Sequence, residues 1–214
     1  MQDNLKPSTR AVLAVLVSSK LKKQFEAMVT GIVKPLGRLG ISPNHLTILG
    51  MVLAGVTAYM YTKVPGNRDH LLYAAGMFIV SGFIDAIDGV LARSTGKVTR
   101  FGGFLDSVAD RYSDAIVYSG IIAAGLCNLW AGLLALFGSM LVSYARARAE
   151  MEGVNMAGIG LAERAERMIF LALCTTIAYW YPQALNYGII ILATLAHFTV
   201  LQRSLHFKKE IERN

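Results

Sequence analysis

FIDAIDGVLARSTGKVTRFGGFLDSVADRYSD, residues 83–114, carries five of the chain's seven Asp, at positions 85, 88, 106, 110 and 114. The setting makes the stretch decisive. The apolar run LLYAAGMFIVSGF leads into it and AIVYSGIIAAGL leads out, so the carboxylates are embedded in hydrophobic sequence. An ionised side chain at the centre of a membrane helix costs roughly 2.5–3.5 kcal/mol on insertion scales, and such residues are functional by default.

Working outward, the chain of 214 residues is 54% apolar and 16% charged, with apolar stretches of spanning length along most of it. That is the signature of a polytopic membrane protein rather than a soluble domain. The net charge of +7 does not point to nucleic acid, because the basic residues fall between apolar spans instead of on one soluble face. A positively charged cytoplasmic face of the protein, set against the anionic membrane surface, accounts for them. Cys127 and Cys174 lie far apart, without metal or redox spacing, and read as packing residues. The polar first ten residues argue against a cleavable signal peptide. His45, His70, His197 and His206 show no ligand spacing.

The expected fold is all-α and membrane-integral: an N-terminal arm with an amphipathic surface helix (1–40), then one six-helix transmembrane domain (41–214). In residues 11–40, Lys20, Lys22, Lys23, Lys34 and Arg38 are scattered among apolar residues; a solvated arm is the alternative reading. Spans are expected at 44–61, 71–93, 104–126 and 129–151, from the GLAER segment to about 181, and at 185–201, each near the ~20 residues a crossing needs. Pro65-Gly66, the basic loop 94–103, the Gly-rich 157–160 and Pro182 punctuate them. With the N-terminus inside, the external segments 63–70, 127–128 and 182–184 hold only Lys63 and Arg68 of the 21 basic residues. The positive-inside rule therefore places both termini in the cytoplasm. The Asp cluster, Arg146 and Arg148, the 163–167 segment and Arg203 then fall at the cytoplasmic ends of their helices.

Helical phase groups the carboxylates. Asp85, Asp88, Gly89 and Ala92 share one face of the second helix, and Gly102, Asp106, Asp110 and Asp114 recur every four residues on the third. If the two helices are neighbours, four or five carboxylates face one another. Divalent cations, which take hard oxygen ligands, relieve the repulsion. Gly89 and Gly102 leave room for a ligand at the backbone, and Arg93 with the basic loop adds charge suited to phosphate. The competing reading pairs these Asp structurally with Arg93, Arg100 and Arg111; for Asp114, service as partner of an Arg is as good a reading as a direct role.

The order Asp85-x-x-Asp88-Gly89-x-x-Ala92-Arg93, eight residues, Gly102-x-x-x-Asp106-x-x-x-Asp110 resembles the signature of the CDP-alcohol phosphotransferases at every fixed position. The resemblance, which extends to the six-span layout, implies a reaction: an alcohol attacks the β-phosphate of a CDP-linked lipid and CMP leaves. It implies that Asp85, Asp88, Asp106 and Asp110 hold two divalent cations, Mg²⁺ or Mn²⁺, that neutralise the pyrophosphate, with Asp110 as general base. Gly89, Ala92 and Gly102 admit the nucleotide beside Arg93, Asp85, Asp88 and Asp106. Asn44 and Thr47 either approach it or cap the first span. Homodimerisation is a further implication; Gly132 and Ala135 on the fourth span serve dimer contact or internal packing equally well.

SYARARAE (143–150) and GLAERAER (160–167) are similar to the branch that uses inositol phosphate, and more to its archaeal than its bacterial members. Arg146 stands where bacterial members often carry Lys, and Ala165 where they often carry Pro. The resemblance places the acceptor's phosphate on Arg146, Arg148 and Arg203, with Arg164 in reach. A dianion suits several Arg; plain cytoplasmic anchoring is the alternative for Arg146 and Arg148, and local pairing with Glu163 and Glu166 for Arg164 and Arg167. Glycerol 3-phosphate, serine or free inositol as acceptor keeps the same chemistry. From another class, a cation transporter or channel would need polar residues through the membrane depth, whereas the outer halves of the spans are apolar.

Overall fold

The computed structural model describes residues 29–31, 33, 35, 40–161 and 163–213. Among them run α1 (Pro43–Lys63), α2 (His70–Ser94), α3 (Arg100–Ala123), α4 (Leu129–Met151), α5 (Arg164–Ala178) and α6 (Gln183–Ile211), and no strand. Most of the expected surface helix lies outside the described residues. Val29 and Val33 are helical and buried against Leu46, Ile87, Val90 and Leu91.

Local signals set the ends. Pro43 opens α1 behind Ser42, whose backbone N–H donates to His45 Nδ1 at 3.4 Å. The expected basic loop 94–103 is shorter than its composition suggested, because Thr99 caps α3: its hydroxyl accepts from the Gly102 N–H at 2.9 Å. Asn128 caps α4 through Trp130 and Ala131. The sixth helix runs to Ile211, well past the expected end at 201, because nothing after Leu201 breaks it.

Four helices, α1, α2, α4 and α6, are long and apolar enough to cross a membrane. Two fall short: α3 carries Asp106, Asp110, Arg111 and Asp114 along its length, and the 15 residues of α5 extend only about 22 Å.

The helices close a ring, each packing on two others, in the order α1, α2, α5, α6, α4, α3 and back to α1. Contrary to the expectation of two adjacent helices, α2 and α3 do not pack directly. Each leans on α1 instead. Ser81 Oγ donates to the Gly50 carbonyl at 2.8 Å, and Gly120 lies so close to α1 that a Cβ would stand 2.8 Å from Ala58 Cα. The gap left between α2 and α3 houses the acidic site. On the other side, a Cβ at Gly138 would come 2.8 Å from Ala196 Cβ, fixing α4 against α6. Gly132 and Ala135 are used inside the chain, Gly132 against Ile122 and Ala135 in the core.

At the end remote from the Asp, the interior is a single apolar cluster drawing on all six helices, including Tyr61, Phe78, Ile121, Leu171, Leu185 and Ile189. The Tyr61 hydroxyl is paired within it: Tyr61 Oη and Thr175 Oγ1 lie 2.7 Å apart, and Thr175 donates to the Leu171 carbonyl. The outer faces instead expose large apolar side chains such as Val52, Ile79, Leu134, Leu173 and Phe198, as lipid contact requires.

Candidate active site

Three helices build the acidic centre. One oxygen each from Asp85 and Asp88 of α2 and Asp106 of α3 lie within 4.8 Å of one another. Asp88 is 5% exposed and accepts a short hydrogen bond from the Thr47 hydroxyl of α1. Three hard oxygen donors converging this closely fit a divalent cation, and their mutual repulsion needs one. Asp110, one turn along α3, stands outside the triad. Its Oδ1 is buried without an aligned hydrogen-bond donor, although Arg164 Nη1 approaches to 2.7 Å. An orphaned buried carboxylate oxygen beside a carboxylate triad also fits a cation.

Beside the triad opens a cavity of about 270 Å³. Asn44, Thr47, Asp88, Gly89, Ala92, Arg93, Gly102 and Asp106 all line it; of the residues expected around the nucleotide, only Asp85 does not. Asn44 does not cap α1, since Ser42 holds that position, so its side chain is available to the cavity. Both motif glycines form its walls. A Cβ on Gly89 would stand 3.2 Å from Arg93 Nη1, and one on Gly102 would stand 3.0 Å from Thr99 Oγ1 and 3.3 Å from Asn44 Oδ1. Gly102→Ala is therefore expected to weaken CDP-lipid binding about tenfold. Thermal stability should change little, because the helix preference for Ala over Gly, about 1 kcal/mol in an interior position, is offset by crowding of the Thr99 cap. Lipid titration alongside a melting curve separates the two effects.

A second cavity of about 200 Å³ is lined by Asp110. Arg111, Arg146, Arg164, Arg167 and Arg203 line it, with Asp110 and Glu163 the acidic residues. Arg146 is paired with Glu150 at 2.8 Å on the same helix and stays half-exposed. Arg203 is 3% exposed. Its Nε donates to the Ile159 carbonyl at 2.9 Å and its Nη1 to that of Val142, so it clamps the 155–160 loop to α4. Arg148 is not brought to this cavity. It pairs with Glu152 at 2.6 Å and lines a separate groove between α4 and α6 with Tyr144 and Phe207.

Arg164 and Arg167 depart most from the sequence reading. Glu166 does not serve as an ion-pair partner for them but caps α5, accepting from the Glu163 N–H at 2.9 Å. The guanidinium groups turn inward. Arg164 Nη1 lies 2.7 Å from Asp85 Oδ2, and its Nε lies 3.3 Å from Asp114 Oδ1. Arg167, 4% exposed, donates to Ser139 Oγ at 3.2 Å and lies 3.5 Å from Asp114 Oδ2. Ser139 in turn donates to Asp114 at 2.7 Å. Asp114 is thus the partner of arginines, and those arginines come from α5 rather than from positions 93, 100 or 111. Arg111 lies 3.6 Å from Asp110 and donates to the Ser107 carbonyl at 2.6 Å. Ser139 escaped the sequence reading, and Arg167 entered it only as a local partner of Glu163 and Glu166. The signals were present: two Arg three apart at a helix start share a face, and Ser139 is a lone hydroxyl in an apolar run.

An acidic triad flanked by a glycine-walled cavity and an arginine-walled one is the geometry of a phosphoryl-group transferase. The chain belongs to the CDP-alcohol phosphatidyltransferase family, whose sequence profile matches residues 40–201. It is 39% identical over 194 residues to the archaetidylinositol phosphate synthase of Pyrococcus horikoshii, covering 91% of this chain and 98% of that one. With the archaetidylinositol phosphate synthase of Methanothermobacter thermautotrophicus it shares 37% identity over 192 residues, 89% of this chain and 95% of the other. Among solved structures, the phosphatidylinositol phosphate synthase of Mycobacterium tuberculosis with CDP-DAG bound superposes with a TM-score of 0.73 at 32% identity, over 85% of this chain and 94% of that one. The same enzyme in complex with manganese and citrate superposes with a TM-score of 0.74 at 31% identity, over 84% and 88% of the two chains.

Proposed function

We propose that the chain transfers the phosphatidyl-type group of a CDP-linked lipid, CDP-archaeol or CDP-diacylglycerol, to myo-inositol phosphate and releases CMP. One observation carries the reading: Asp106 lines a cavity walled by Gly89 and Gly102, and Asp110, one turn along the same helix, lines a cavity walled by arginines. A nucleotide fits the first and a phosphorylated alcohol the second, with the carboxylates of Asp106 and Asp110 on successive turns of α3. Asp85, Asp88, Asp106 and Asp110 would hold two divalent cations, Mg²⁺ or Mn²⁺. When bound, these supply charge neutralisation for the pyrophosphate.

The chain's own groups do the rest. Arg146 and Arg164, with Arg203 fixing the wall behind them, hold the acceptor's phosphate so that its hydroxyl meets the lipid's β-phosphorus. Asp110 accepts the hydroxyl proton as the new P–O bond forms. The P–O bond to CMP breaks and CMP takes the electron pair. Thr47 holds Asp88 in place, and Asn44, Ala92 and Arg93 line the nucleotide's side.

The same reading makes residues 41–214 one membrane domain in which α3 and α5 also cross, completed by a surface helix before residue 41. The site and both termini face the cytoplasm, the positive-inside arrangement, and the enzyme is a homodimer. A channel is disfavoured by the apolar cluster that fills the ring beyond Asp114. Purified protein given CDP-archaeol or CDP-diacylglycerol and a divalent metal should release CMP with inositol phosphate but not with glycerol 3-phosphate, serine or inositol. Release with none of them would end the enzyme reading.

Arg146 and Arg148 should separate in that assay. Arg146→Ala is expected to raise KM for inositol phosphate about tenfold, one lost charge-assisted contact, with KM for the lipid unchanged. Arg148→Ala, in a different groove, should stay within about twofold for both. Equal effects on both substrates would mark Arg146 as a helix anchor.

A further inference from the structure

The same guanidinium nitrogen, Arg164 Nη1, lies 2.7 Å from Asp85 Oδ2 and 2.7 Å from Asp110 Oδ1. Asp85 belongs to the carboxylate triad and Asp110 does not, so Arg164 holds the space through which Asp110 would join Asp85 around a cation. The contact to Asp110 is one of charge rather than direction, since Oδ1 lacks an aligned donor. The carboxylates of Asp85 and Asp110 therefore have no strong directional tie to the guanidinium beyond the single Asp85 bond. Asp114 keeps Ser139 and Arg167 if Arg164 leaves. Arg164 already lines the arginine-walled cavity, so a guanidinium released by the carboxylates is delivered there.

We propose that Arg164 competes with a divalent cation for the Asp85–Asp110 gap and thereby links metal occupancy to acceptor binding. The proposal rests on the metal reading above. With the gap unfilled, Arg164 supplies the positive charge that holds Asp85 and Asp110 together. A cation there frees the guanidinium for the acceptor's phosphate. By thermodynamic reciprocity, phosphate that engages Arg164 tightens the cation at the gap. Arg164 is on this view a positioning residue for Asp110 as well as a contact for phosphate.

The test is a Mn²⁺ titration of the full chain in nanodiscs, read by calorimetry and by the electron paramagnetic resonance signal of free ion. Wild type is expected to take one cation tightly and a second weakly. Arg164→Gln should tighten the weaker step about tenfold, the usual size of a coupling between sites, and move the tighter step much less. Arg111→Gln removes a charge 3.6 Å from Asp110 without vacating the gap, and should have a far smaller effect. In wild type, saturating inositol 1-phosphate should tighten the weaker step, a result that does not depend on any variant folding. Equal shifts in the two variants, no shift in Arg164→Gln, or no effect of inositol 1-phosphate on wild type would overturn the linkage. Absence of any Mn²⁺ binding to wild type would instead overturn the metal reading beneath it.

Discussion

Asp110→Asn is expected to abolish CMP release, by about 10²–10⁴-fold, the range for removing a general base, while CDP-lipid binding persists. The two outcomes separate because of where Asp110 sits. It lines the arginine-walled cavity and not the cavity walled by Gly89 and Gly102, so the nucleotide's surroundings survive the change. Asn keeps the shape of Asp, yet cannot take the acceptor's proton. Asp88→Asn should behave differently. Asp88 belongs to the triad, holds the Thr47 hydroxyl and lines the nucleotide cavity, so lipid affinity should fall with turnover. Labelled CDP-lipid binding measured beside CMP release distinguishes the pair. Substantial turnover by Asp110→Asn would remove Asp110 as the base.

The depth to which the sequence was readable follows from the range of its signals. Periodicity is local, so it put Asp85 with Asp88 and Asp106 with Asp110 and Asp114 on single faces, and composition placed those faces in a membrane. Neither signal carries distance between helices. The direct pairing of α2 with α3 therefore failed, because Gly50 and Gly120 draw both onto α1 and leave the gap that the carboxylates line. The same limit hid the carboxylate partners of Arg164 and Arg167. Nearby Glu163 and Glu166 looked like their partners, but a glutamate at the third helical position does more for the open N–H groups of a helix start. Only folding brings Asp114 and Ser139 to α5. Arg148 shows the converse: its spacing from Arg146 suggested a shared target, but two residues along a helix is about 200° of rotation, enough to send it to another groove.

Arg167→Leu should destabilise the protein by about 3 kcal/mol or more, the cost of stranding one member of a buried ion pair. Asp114 and Arg167 are both buried, on different helices, with Ser139 of a third between them. Beneath them Phe78, Val117, Tyr118 and Leu171 enclose about 10 Å³, little more than a water's space, so solvent can do little to replace the lost charge. Arg164 Nε at 3.3 Å remains and softens the loss. Double replacement decides whether the charge or the packing matters. If it is the stranded carboxylate that costs, Asp114→Asn combined with Arg167→Leu should unfold at a higher temperature than Arg167→Leu alone, since no uncompensated charge is left. An unchanged melting temperature in Arg167→Leu would sink the network as an anchor. Loss of turnover with stability intact would instead place Arg167 with the acceptor-binding arginines. An anchor's failure should disturb both cavities at once, because α3, α4 and α5 meet at Asp114, Ser139 and Arg167, and Arg164 takes part of its position from Asp114.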